Sequence, residues 1–104
     1  MESNMVNTYN EIIKNYFKNS FPQFIVLFET SYSMYWGVKL KYRDTEIDVS
    51  GDIGGFSVNV IIDKSKFPLW QYDRSVSDAM ETSEVNIFYQ LEVLSRFLTE
   101  IEEN

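Results

Sequence analysis

The chain has 104 residues, 44% of them hydrophobic and 16% aromatic, enough apolar mass for one core and too little length for two, so a single domain over residues 1–104 is expected. Sixteen acids outnumber nine bases, giving a net charge of −7, and the chain has no Cys and no His. That composition excludes a disulfide framework, a thiolate or imidazole metal centre and His-assisted serine catalysis.

Met1 to Asn7 carries no basic start followed by an apolar run, so it does not read as a signal peptide and a cytoplasmic location is expected. Met5, Tyr9, Ile12, Ile13, Tyr16 and Phe17 follow the i, i+4, i+7, i+8, i+11, i+12 spacing of an amphipathic helix. Thr8 and Glu11 have capping-box spacing near its start, and Asn19 and Pro22 predict its end.

Phe24 to Phe28 is the longest uninterrupted apolar run, far short of the ~20 residues that cross a bilayer, so no membrane span is expected. Its aromatic and β-branched content predicts a strand buried on both faces. From Met34 to Tyr42 the residues Met34, Trp36, Val38, Leu40 and Tyr42 alternate with a mostly basic set, the pattern of a half-buried strand.

A two-residue turn at Arg43-Asp44 sets Leu40 against Ile47 and Val38 against Val49, with Lys41 facing Glu46 and Lys39 facing Asp48 on the other side. A slip of one residue would bury the charges, so this pattern specifies register. Gly51 to Gly55 reads as a turn, and Phe56, Val58, Val60 and Ile62 as the inward face of the next strand.

Residues 63–82 read as a connection with a short helix at Ser75 to Met80. Ser83 is a plausible N-cap for the last helix, with Asp78 and Glu81 a competing capping pair. Ile87, Leu91, Leu94, Leu98 and Ile101 form that helix's core stripe. The predicted fold is α+β, an antiparallel four-stranded meander packed against N-terminal and C-terminal helices.

Gly51, Gly54 and Gly55 lack the lysine, hydroxyl residue and helix that follow a phosphate-binding loop. Asp44, Glu46 and Asp48 lack the glycine and distal glutamate of a calcium loop, and cross-strand pairing explains them. Those acids also neutralise the basic face of Lys39, Lys41 and Arg43, which argues against direct nucleic-acid binding. No catalytic, cofactor or metal-binding residue is assigned. A carboxylate-based enzyme would need an acid in an apolar pocket, which no segment announces.

The last thirty residues hold seven acids against Arg96 alone. On the final helix Tyr89 and Val93 point away from the core stripe, among Glu92, Arg96 and Glu100, and are expected near solvent; the packed alternative covers them with residues 63–82. Trp70 and Tyr72, beside Asp73 and Asp78, form a second aromatic and acidic tract, with docking onto the core as its packed alternative. Together with Glu81 and Glu84, these residues make up the expected partner-binding set. Both a monomer and a homodimer fit the composition.

A short, acidic, histidine-free domain with aromatic residues beside carboxylates, as in Phe67 to Asp73 and Glu81 to Glu103, resembles the small immunity proteins with which bacteria neutralise their own toxins, including those of contact-dependent inhibition. The resemblance implies tight, stoichiometric binding to a basic toxin domain, often a nuclease. An anti-defence protein of a phage or a chaperone-like adaptor is the alternative protein-binding class.

Overall fold

The computed structural model describes the backbone of residues 2–76 and 80–103 and the side chains of residues 8–76 and 80–101. Helix α1 spans Glu2–Ser20 and is followed by β1 (Ile25–Tyr32), β2 (Tyr35–Tyr42), β3 (Thr45–Gly51), β4 (Gly55–Ile62) and β5 (Ser65–Pro68). A one-turn helix α2 (Leu69–Tyr72), a short β6 (Met80–Glu81) and helix α3 (Glu84–Glu103) complete the chain. The antiparallel sheet runs β1-β2-β3-β4-β5, and β6 also pairs with β4. The four predicted strands are β1 to β4; β5 and β6 lie end to end along the far side of β4, on Asn59–Ile62 and on Gly55 and Phe56 respectively.

The β2–β3 register is the predicted one, with Leu40 opposite Ile47, Val38 opposite Val49, Lys41 opposite Glu46 and Lys39 opposite Asp48. The ion pair that forms is diagonal, Lys39 Nζ to Glu46 at 3.6 Å, because a lysine stem reaches past its direct neighbour. Trp36, Val38, Leu40, Ile47, Val49, Phe56, Val58 and Val60 point to one face and are buried there with Ile13 and Phe17 of α1 and Ile87, Leu91, Leu94 and Leu98 of α3. Met34 is not part of that face. It sits half-exposed in the β1–β2 turn, where Ser33 adopts a left-handed φ of 57°.

Three local expectations are corrected. Helix α1 begins at Glu2, so Thr8 and Glu11 lie inside it and form no capping box; Glu11 instead holds Lys14 at 2.6 Å. The run Phe24 to Phe28 is not buried on both faces: Phe24 turns into the core, whereas Ile25 and Phe28 are 61% and 64% exposed, because β1 is the sheet's edge and no helix among the described residues covers its outer side. One turn of helix lies at Leu69–Tyr72, where Pro68 supplies an extended N-cap; of the helix expected over Ser75 to Met80, Ser75 and Val76 lie in a turn, Met80 belongs to β6, and residues 77–79 lie outside the described residues.

Polar side chains tie the layers together. The buried Asn10 donates from Nδ2 to the Thr30 carbonyl at 2.9 Å and accepts from the Gly37 amide at 3.0 Å, locking α1 onto β1 and β2. Trp36 Nε1 and Thr82 Oγ1 both donate to the Asp52 carbonyl, at 2.8 and 2.7 Å, so the β3–β4 turn also anchors the approach to α3. At Gly51 a Cβ would come within 2.2 Å of the Gly55 carbonyl oxygen, which is why that turn opens on a glycine.

Candidate partner-binding surface

Helix α3 starts as predicted, with Ser83 Oγ accepting from the Asn86 amide at 3.1 Å. The segment from α2 to Val76 then lies along one flank of α3 and forms a seam. Tyr72 stacks at a tilt on Phe97, with centroids 4.9 Å apart, and its hydroxyl meets Glu100, which raises the phenol above its ordinary pKa. One turn back, Arg96 Nη2 lies 3.2 Å from Asp73 Oδ2, while Asp73 Oδ1 accepts from the Ser75 amide at 2.9 Å. Farther along, the Tyr89 hydroxyl donates to Ser75 Oγ.

The seam decides the fate of Val93. It is 0% exposed, as in the packed alternative and not near solvent, because the segment carrying the buried Val76 lies over that side of α3. Tyr89, expected on the same exposed side, keeps 40% of its surface open at the seam's rim. The proposed partner surface therefore loses Val93 and keeps Tyr89.

The other expected residues separate into groups. Trp70 and Tyr72 are each 37% exposed on α2, beside a cleft of about 250 Å³ lined by Phe67, Pro68, Leu69, Gln71, Tyr72 and Phe97. Asp73 belongs to the seam. Glu84 lies exposed in the first turn of α3, and Glu92 faces α1, where the Tyr16 hydroxyl reaches it at 3.5 Å. Glu81 is exposed on β6, its carbonyl accepting from Asn86 Nδ2 at 2.8 Å. Asp78 lies outside the described residues.

Two residues absent from the expected set complete this surface. Val85 and Phe88 are 78% and 46% exposed on the outer side of α3, and with Tyr89 and Glu92 they follow i, i+3, i+4, i+7 spacing, so one helical face presents two aromatic rings and a valine between Glu84 and Glu92. That second stripe is visible in the sequence. The stronger Ile87-Leu91-Leu94-Leu98 stripe masks it, because the two are offset by only one residue at Ile87-Phe88.

Among the described residues no three acids gather closely enough to hold a metal ion. Likewise, no helix there is long and apolar enough to cross a membrane. A larger opening, about 650 Å³, lies by the C-terminal half of α3, among Phe24, Tyr42, Arg43, Ile62, Leu98 and Ile101, with Arg43 turned over the Tyr42 ring at 5.0 Å.

No protein-family model matches the chain, and neither a characterised protein nor a solved structure matches it.

Proposed function

We propose that this protein is a non-enzymatic binding module that holds a basic protein partner on the outer face of α3 and the adjoining seam, in the manner of an immunity protein neutralising a toxin domain. The reading rests on one observation: Val85, Phe88 and Tyr89 stand exposed on a single helical face between Glu84 and Glu92. Aromatic anchors that shed water, ringed by charges that steer, are the composition of a protein-binding surface. Residues 44–104 carry thirteen acids against four bases, so the field around α3 attracts a cationic partner and repels phosphate. Against a nuclease, carboxylates here stand where substrate phosphates would. Such an inhibitor acts in the cytoplasm of the producing cell, which suits a chain without cysteine.

The test is capture from a lysate of the source cell with the tagged protein at low salt, followed by a salt titration and mass spectrometry. One basic chain in stoichiometric amount, retained at moderate salt and lost with the Glu84→Lys, Glu92→Lys bait, is the expected result. Recovery of the bait alone, or equal capture by both baits, contradicts the proposal. Asp73→Lys is a poorer probe than it looks from sequence, since it also breaks the bonds to Ser75 and Arg96.

A further inference from the structure

The sheet's two edges are treated in opposite ways. The β5 edge is guarded: four residues long, it carries Lys66 and ends in Pro68, both of which discourage strand addition. The β1 edge has eight residues, no lysine, no proline and, among the described residues, one neighbouring strand, β2; its single irregularity is a bulge where the register shifts between Val26 and Phe28. Beyond the bulge, Phe28 to Tyr32 pairs regularly with β2, and Phe28 and Tyr32 are 64% and 76% exposed. An exposed apolar edge of this kind is a template for another strand.

Charge distribution selects the strand. Residues 1–43, which build α1, β1 and β2, hold five bases and three acids, net +2; residues 44–104 hold four bases and thirteen acids, net −9, and the two sum to the chain's −7. A basic partner is drawn to the second half, not to the β1 edge. Pairing of two copies through this half keeps their two −9 halves apart. The one charge on β1, Glu29, is already held by Lys14 at 3.2 Å.

The sequence of the edge is self-complementary. Laid antiparallel on itself about Thr30, Phe28-Glu29-Thr30-Ser31-Tyr32 sets Phe28 against Tyr32 of the second copy twice, threonine against threonine at the axis, and each Glu29 against Ser31, so no like charges meet. A two-fold axis perpendicular to the sheet keeps these rings on the outer face, since Phe28 lies beside Lys39 and not beside the inward-facing Val38 and Leu40. We infer that the β1 edge pairs antiparallel with β1 of a second copy, joining the two sheets into one and leaving both α3 faces free at the far ends. This holds whether or not a basic partner exists.

Sedimentation velocity from roughly 1 µM to several hundred µM tests it. A monomer–dimer equilibrium with a dissociation constant on the order of 10 µM is expected, given the small area that one strand pair buries. Phe28→Lys and Tyr32→Lys, both at exposed positions, should each weaken it at least about tenfold without lowering the melting temperature, and Phe88→Lys on α3 should leave it unchanged. A monomer throughout the range, species growing past the dimer, or a dimer lost with Phe88→Lys but kept with Phe28→Lys overturns the inference.

Discussion

Asn10 and Gln90 are both buried carboxamides, and only one of them has its hydrogen bonds. Asn10 bridges Thr30 and Gly37, which makes it a clamp between α1 and the sheet. Gln90, fully buried on the core side of α3, has no partner for either Nε2 or Oε1 among the described residues. A buried polar group left unpaired costs about 1–3 kcal/mol, so Gln90→Met, which keeps the shape and removes the polar atoms, should stabilise the fold by an amount of that order in urea unfolding. A loss of stability would show that Gln90 has a polar role in the folded protein. Neither residue stood out in the sequence, because a polar residue at a helical position reads as solvent-facing until the neighbouring element is placed. Val93 follows the packed alternative: its angle on α3 points away from the core stripe, and the cover comes from the segment carrying Val76, whose path carries no periodic signal.

At the scale of elements, legibility followed the strength of the pattern. The β2–β3 register was readable because a period of two and opposite charges on the outer face agree on one alignment. β1 was misread because a five-residue apolar run looks the same whether it is central or at an edge. β5 and β6 are four and two residues long, too short for any period to show. The seam between α3 and residues 69–76 is likewise a product of tertiary packing, and it should respond to acid. Asp73 is held below the usual carboxylate range, first by the Ser75 amide and further by Arg96. Its contribution is therefore present above the unfolded value near 4 and is lost as pH falls through the lower folded value. NMR shifts of residues 69–76 should move in that acid window while those of the sheet core hold, and Asp73→Asn should abolish the movement. Identical acid titrations in both proteins would mean that the seam does not depend on this carboxylate.

The whole molecule is polarised. One side, α1 with β1 and β2, is slightly basic and ends in an open strand edge; the other carries most of the acid and presents Val85, Phe88 and Tyr89 on α3. With the two proposed surfaces apart and of different chemistry, self-association and capture of a basic partner would not compete, and a dimer formed at β1 would offer two α3 faces. The aromatic and acidic character of the C-terminal region was legible in composition. The proposed anchor was not, since Val85 and Phe88 gain meaning only once the core stripe beside them is seen to be buried. The measurement that bears most directly on the central claim is a calorimetric titration of the basic chain recovered from the lysate against wild type, Phe88→Ala and Glu92→Lys. Phe88→Ala is expected to weaken binding by about 2 kcal/mol, roughly thirtyfold, at any salt, and Glu92→Lys to weaken it at low salt with the difference shrinking as salt rises. Equal affinities for all three proteins would contradict it and remove the outer face of α3 as the binding surface.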